Sequence, residues 1–345
     1  MSKPSMSQPG MSQPVAEART VAVRPTSSTI TREDRWDHFL ARIGADRMGH
    51  RVGAGLYSLG QPTPDSPVFV TANYTLSFDA LRSALAGIPC YIMVLETHGI
   101  NVWCAAGKGT FGTDEVVRRM EATGLAQVVR HRNLVLPQLG ASGVAAHEVA
   151  RRTGFSVEFG PVRARDLPEY LMTRIATPEM RKVTFTLGER AVQIPVELAQ
   201  TVLPMIAAAA AVFLLGGLEA AAAVVAAFLA GVVLFPVMLP WLPTGDFTSK
   251  GLVLGVVVAA PFAVAALLAA RLGAAWLRVY LALVPILSMP PVTAYLALNF
   301  TGSTTFASKS AVKREMYRYI PALAVLLAVG IALAIGYYFL RGRVV

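Results

Sequence analysis

From residue 200 to residue 345 the chain consists of long apolar runs almost without charge. Five of them, near 200–218, 220–241, 251–271, 277–299 and 319–340, each approach the ~20 residues that cross a bilayer core. Most of the charge lies in residues 1–195. Over the whole chain 54% of residues are apolar and 15% charged, against roughly 45–50% and about 25% in soluble domains. The two halves are therefore built for two solvents, water and lipid. We expect an α/β Rossmann-like domain followed by an all-α transmembrane domain of about five helices.

Gly216-Gly-Leu-Glu219 alone separates the first two runs, which predicts a tight helical hairpin. Pro236, Pro240, Pro261, Pro285, Pro290 and Pro291 fall inside the runs or at their ends, where neighbouring helices can satisfy the freed backbone groups. Arg174, Arg181, Lys182 and Arg190 precede the first run, and Lys309, Lys313, Arg314 and Arg318 separate the fourth from the fifth. With five crossings both groups share one side. Their positive charge assigns that side to the cytoplasm of an inner membrane and leaves the C-terminus outside. Arg271, Arg278, Arg341 and Arg343 are a modest counter-signal. The runs themselves hold almost no ionisable residue, which favours an anchor or passive conduit over a pump.

Residues 1–33 are rich in Ser, Pro, Gln and Thr and read as a disordered tail. No apolar segment of signal-peptide form occurs there. Residues 34–175 read as the soluble domain. Val68–Thr71, Tyr91–Leu95, Asn133–Leu136 and Phe155–Phe159 are strand candidates, with a further short strand over Ala126–Val129. Helical patterns cover Leu76–Ile88, Thr113–Thr123, with Thr113 as N-cap, and Val144–Thr153. Strands alternating with helices predict a mostly parallel sheet. Residues 176–198 read as a β-hairpin linker, Lys182–Leu187 and Ala191–Val196 flanking Gly188-Glu-Arg190.

The net charge of +10 comes from scattered Lys and Arg without a nucleic-acid-binding motif, so no nucleic-acid partner is expected. His38, His50, His98, His131 and His147 lack metal-ligand spacing. The two cysteines, Cys90 and Cys104, form no CxxC pair, so the chain cannot hold a cysteine-ligated iron–sulfur cluster of its own. Cys90 lies in an apolar strand. Cys104 lies in Gly99-Ile-Asn-Val-Trp-Cys-Ala-Ala-Gly-Lys108, where Asn101 can N-cap a short helix that Gly107 and Gly109 would end. In the first turn of that helix the exposed amides favour thiolate over thiol. Ala105, Ala106 and Gly107 are small enough for a flat ligand to approach, and Trp103 offers an apolar surface beside them. An inert cysteine in a Gly-rich turn is the plainer alternative. Thr71 and Asn73 follow one strand, and Gln138, Leu139 and Gly140 another, at the sheet edge where open α/β folds bind ligands. Turn capping would equally explain them.

Asn101-Val-Trp-Cys-Ala-Ala-Gly-Lys108 closely resembles the signature N-[VI]-W-C-A-[AG]-G-K of the mercury-methylation corrinoid family. That family is related to the large subunit of the corrinoid iron–sulfur protein of the acetyl-CoA pathway. The similarity extends through Val70–Tyr74, Leu76–Asp79, Lys108–Thr113, Leu136–Gly140 and Phe159–Val162, and through Thr244–Lys250 and Asn299–Phe306, covering about residues 50–320. The tail of residues 1–30 lies outside it.

The resemblance implies a cobalamin-type corrinoid held between the α/β domain and the helix carrying Cys104. The Cys104 thiolate would be the lower axial cobalt ligand. A soft donor trans to methyl raises electron density on the metal, which suits delivery of a carbanion or radical equivalent to Hg(II) as substrate. Asn101, Val102, Trp103, Ala105, Ala106, Gly107 and Lys108 would shape the helix and contact the corrin; Lys108 is alternatively a solvated helix-end charge. The Asp-x-His-x-x-Gly element of other corrinoid domains is absent, and Glu96-Thr-His-Gly99 does not fit it. The implied partners are a methyl-folate-dependent methyl donor and a two-cluster 4Fe–4S ferredoxin as reductant. The alternatives are a membrane-anchored corrinoid methyl carrier for another acceptor in the folate or acetyl-CoA pathway, and a non-enzymatic corrinoid or ion transport protein.

Overall fold

Strands β3 (Val68–Ala72) and β4 (Cys90–Leu95) are buried along their whole length and pair in parallel, from Val68 opposite Tyr91 to Ala72 opposite Leu95. Unbroken apolar runs of this kind belong in the middle of a sheet whose two faces are both covered. The chain is seen in a computed structural model that describes residues 22–46, 49–269, 274–301 and 309–344. Its two compact units comprise residues 1–29 with 52–174, and residues 30–51 with 175–345.

The first unit holds a six-stranded mixed sheet ordered β1 (Val23–Thr26), β2 (Gly55–Leu59), β4, β3, β5 (Asn133–Leu136), β6 (Ser156–Phe159). Strands β3 to β6 are parallel. β2 runs antiparallel to β4, and β1 runs parallel to β2. Helix α2 (Thr75–Ala84) connects β3 to β4 in one direction across the sheet, and α6 (Ala146–Thr153) connects β5 to β6 in the other. The order reverses between β3 and β5, and this switch point is where ligands settle in open α/β sheets. Between β4 and β5 lie α3 (Val102–Lys108), α4 (Thr113–Ala122) and α5 (Leu125–Val128). The core joins Val70, Met93, Leu95, Phe111, Val116, Leu134, Leu136 and Phe155.

Several expectations are corrected here. The expected disordered tail is too long: residues 1–21 lie outside the described residues, but Val23–Thr26 is an edge strand. An edge strand tolerates Pro25, which donates nothing to a ladder. The segment after β1 is anchored by Arg82, buried beside Asp79 at 2.6 Å, which donates to the Ser27 and Thr29 carbonyls at 2.6 Å each. The unit thus includes residues upstream of Asp34, whereas residues 34–51, expected within the soluble domain, group with the second unit. Ala126–Val129 is not a strand, since Leu125–Val128 is one helical turn behind the left-handed Gly124. Helix α4 is capped from Gly112, while the Thr113 hydroxyl accepts the Ala145 amide at 2.9 Å.

The expected β-hairpin over 176–198 is not formed. Helix α7 (Leu167–Thr173) closes the first unit. In the second unit Thr186 and Glu189 make a capping box that starts α8 (Leu187–Ala191), and α9 (Ile194–Leu229) carries Pro195 in its first turn. Alternating apolar residues are compatible with either element over so short a span, and the reciprocal cap decides for helix. Arg190 is buried and donates to the Phe185 and Pro236 carbonyls at 2.8 Å each.

Among the described residues four helical runs are long and apolar enough to cross a membrane, where five were expected: Leu187–Trp241, Phe247–Leu268, Ala275–Phe300 and Ser310–Leu340. The first two expected runs are continuous in secondary structure, from α9 through a π-helical turn to α10 (Phe235–Met238). A straight helix of 55 residues would reach about 80 Å, far beyond the ~30 Å bilayer core. A break intervenes at Gly217, whose φ of 75° and ψ of −165° are non-helical. Helices α11 (Phe247–Leu268) and α12 (Ala275–Phe300) approach closely through small residues: a β-carbon on Gly251 would lie 2.6 Å from that of Ala297. Small residues of this kind let helix backbones approach closely, a mode of packing that also serves helices in lipid. The Thr293 hydroxyl donates to the Ala227 carbonyl at 3.0 Å, satisfying a backbone group just before the π-helical turn. Arg271 and much of the Asn299–Phe306 stretch lie outside the described residues. Helix α13 (Lys309–Val344) completes the unit.

Candidate functional site

The loop that leaves β4 is tied down before it reaches Cys104. Asn73, buried just past β3, spends its whole side chain on this loop. Its Oδ1 accepts from the Thr97 amide at 3.0 Å, the Thr97 hydroxyl at 2.8 Å and the Gly99 amide at 3.0 Å. Its Nδ2 donates to Glu96 Oε1 at 2.8 Å. His98 and Gly99 both take positive φ, 59° and 70°, and the Ile100 amide closes on the Thr97 carbonyl at 3.2 Å. Two successive left-handed residues make this a mirror-type β-turn, which glycine enters without strain and histidine at some cost. The Glu96 amide donates to Glu115 Oε1 at 2.8 Å. Burial pushes the Glu115 carboxyl up, but that amide and the Arg119 and Arg118 guanidiniums outweigh it and hold the group below the ordinary glutamate range.

Asn101 then caps α3, its Oδ1 accepting the Cys104 amide at 2.9 Å. Gly109, at φ 84°, ends the helix. Val102, Ala105 and Ala106 are buried in the core, whereas Trp103 and Cys104 are partly exposed and Gly107 and Lys108 are exposed. Residues three and four apart share a helix face, so Trp103, Cys104, Gly107 and Lys108 form one outward patch. A β-carbon at Gly107 would meet nothing within 4 Å. The protein's own packing does not require glycine there, although glycine in a helix costs about 0.5–1 kcal/mol relative to alanine.

Helix α3 rests on β3 and on the turn Gln138–Gly140, above the switch point. A β-carbon on Gly140 would lie 2.6 Å from Phe111 Cε1, and one on Gly143 would lie 3.0 Å from Ala106 Cα. These glycines let α3 and the segment behind it sit down on the turn.

The structure separates the expected residues into an outward group and an inward one. Cys104, Trp103, Gly107 and Lys108 are brought together on the open face, with Asn101 at its start. Ala105 and Ala106, read as part of the approach surface, instead point into the core with Val102. Thr71 and Gly140 are buried, Leu139 packs against the core, and Gln138 is half-buried with its amide near the Pro161 carbonyl at 3.4 Å. Asn73 is committed to the loop. Glu96, Thr97, Glu115 and Gly143 are supports that the sequence reading misses. The His98-Gly99 pair directly after a strand is the sequence signal for the turn they hold. Cys90 is fully buried in β4, and burial alone pushes its thiol up to about 12.

Among the described residues no group of three or more His, Cys, Asp or Glu could hold a metal ion. A metal already held by four ring nitrogens needs only one protein donor, and the partly exposed Cys104 beside the open space at Gly107 suits that requirement.

Residues 44–171 match the family described as the CO dehydrogenase/acetyl-CoA synthase delta subunit. Relatives include the acetyl-CoA decarbonylase/synthase complex subunit gamma of Methanopyrus kandleri, 35% identical over 127 residues, covering 36% of this chain and 27% of that protein. The subunit gamma of Archaeoglobus fulgidus is 36% identical over 114 residues, 32% of this chain and 24% of its own length. That of Methanosarcina acetivorans is 31% identical over 124 residues, 35% and 26% respectively. The chain thus spans about a quarter of the length of the curated relatives it matches. These similarities correct the family assignment drawn from the octapeptide. The matched proteins are acetyl-CoA decarbonylase/synthase and CO dehydrogenase/acetyl-CoA synthase subunits, not mercury-methylation proteins.

Proposed function

We propose that this chain is a membrane-anchored corrinoid protein that carries methyl groups in chemistry of the acetyl-CoA type, in which the Cys104 thiolate would ligate the cobalt. The observation that carries the reading is the placement of one thiol on an outward helix face, above a sheet switch point, next to the open space at Gly107. The matched segment 44–171 contains that face. Its kinship with acetyl-CoA decarbonylase/synthase subunits supports a methyl carrier over a transport protein.

When bound, a corrinoid supplies a cobalt centre that accepts a methyl group from one partner and yields it to another. The chain's own residues hold and orient it. Cys104 donates sulfur from a helix whose register Asn101 fixes. Gly107 would leave room for a planar ring, Trp103 would offer it apolar surface, and Lys108 would offer a cation to a polar substituent. Two cysteines without a CxxC pair cannot hold an iron–sulfur cluster, so reducing equivalents would come from a separate protein, a role that a two-cluster ferredoxin could fill. A methyl-folate-dependent enzyme is the matching donor.

We take the limbs on either side of Gly217 as separate crossings. The basic segments before α9 and at the start of α13 then lie on one side, the cytoplasmic one, with the C-terminus opposite.

Full-length protein in detergent, titrated with methylcobalamin, tests the reading through its visible spectrum. Wild type should show a spectrum displaced from that of the unbound cofactor. Cys104→Ala should lose the displacement. Absence of binding, or identical spectra for the two proteins, would overturn the proposal.

A further inference from the structure

Helix α1 (Arg32–Ile43) belongs to the second unit and packs against α9. It starts firmly: Thr31 accepts the Asp34 amide at 3.1 Å, and Asp34 accepts the Thr31 amide at 2.7 Å. It ends at Gly44, in a left-handed cap. A β-carbon built there would lie 3.8 Å from Val196 Cγ1 and 4.0 Å from Gln200 Nε2. Glu197 is the last charged residue of α9 before an uncharged stretch that runs from Leu198 to Leu218. The C-terminal end of α1 is therefore held at the level where α9 passes from charged to apolar sequence.

The two faces of α1 differ in kind. Asp37 faces inward, 2.7 Å from the buried His50, whose other ring nitrogen lies 2.7 Å from the Ala45 carbonyl. The outward face carries Arg32, Arg35, Trp36, Phe39 and Arg42, all exposed. Trp36 is 61% and Phe39 50% exposed, and their rings stack at 5.4 Å. Neighbours at helical spacing thus present two aromatics flanked by three arginines. Glu33 is the one acidic residue at its margin.

We propose that α1 is an interfacial helix that lies on an anionic lipid surface, with Trp36 and Phe39 set into the headgroup boundary and Arg32, Arg35 and Arg42 on lipid phosphates. Three independent features point to lipid: the seat against the first turns of an apolar helix, the aromatic pair and the arginine flank. Tryptophan favours the membrane–water boundary, and a helix with apolar and basic residues on one side binds anionic bilayers in the interface plane. The proposal rests on reading the apolar helices as membrane-spanning.

The test uses full-length protein in nanodiscs of phosphatidylcholine, with or without phosphatidylglycerol, and lipids brominated high on the acyl chain. Subtracting the fluorescence of Trp36→Phe from that of wild type isolates Trp36. Brominated lipid should quench this component and aqueous iodide should not. In Arg32→Glu/Arg35→Glu/Arg42→Glu the lipid quenching should be lost from the phosphatidylglycerol discs. Iodide quenching of Trp36 without lipid quenching would overturn the proposal, and so would quenching by neither, which would assign the face to a protein partner. Trp241 and Trp276, both exposed on the apolar helical runs, separate the two failures. If brominated lipid reaches them but not Trp36, only the α1 proposal fails. If it reaches none, the membrane reading fails with it.

Discussion

Asn101 Oδ1 accepts the Cys104 amide at 2.9 Å, so the residue that starts α3 also fixes where the thiol stands. Asn101→Ala should cost about 1 kcal/mol, as N-cap losses do, and fray the turn that carries the sulfur. Asn101→Asp keeps an acceptor in place and should behave as wild type. Thermal melts and the displaced visible spectrum check both: the alanine variant should weaken the displacement and the aspartate variant should retain it.

Gly107 offers a test in which stability and binding move in opposite directions. The space above it is open, so Gly107→Ala should stabilise the fold by about 0.5–1 kcal/mol, while Gly107→Leu should fold normally and block a planar ring. Corrinoid titration of both variants should show affinity falling with side-chain size. Equal affinity for Gly, Ala and Leu would place the ligand elsewhere.

Asn73, expected from its position after a strand to touch a ligand, is given to the loop instead. Asn73→Ala strands the Thr97 and Gly99 amides, a loss of roughly 1–3 kcal/mol for buried groups left without partners. We expect a lower Tm and a corrinoid affinity that falls with it, even though Asn73 does not itself face the patch. A variant of unchanged Tm and abolished binding would return Asn73 to the ligand.

How much of this the residues announce depends on how local the cause is. The cap at Asn101, the stop at Gly109 and the apolar runs of β3 and β4 are written in neighbouring residues, and so are legible. The inward turn of Ala105 and Ala106 is not, because small residues suit a core as well as a ligand surface. Only the close seat on Gly143 decides between them. Val23–Thr26 lacks an apolar run and contains a proline. It becomes a strand through the distant Arg82 and the pairing with β2. The run over 182–196 alternates like a hairpin, but 182–186 form no regular element and the Thr186–Glu189 cap, itself visible in the residues, starts helix at Leu187. The octapeptide points to mercury-methylation proteins, whereas the matches over residues 44–171 are to CO dehydrogenase/acetyl-CoA synthase and acetyl-CoA decarbonylase/synthase subunits, so a motif of eight residues does not settle the family.

Glu115 gives a pH dependence with a definite sign. Its folded carboxyl is held below its unfolded value. The stabilisation is therefore full above the unfolded value and is lost as pH falls through the folded one. Melting temperatures measured down an acid series should decline for wild type below the ordinary carboxylate range. Glu115→Gln should start lower and decline less. Parallel curves would assign the acid sensitivity to other groups.

A bond between cobalt and the sulfur of Cys104 stands at the centre of the proposed function. Cobalt X-ray absorption fine structure on the corrinoid-loaded full-length protein measures it directly. Wild type should show a sulfur scatterer in the first shell that is lost in Cys104→Ser. A first shell of nitrogen and oxygen alone in wild type, unchanged in the variant, would contradict it.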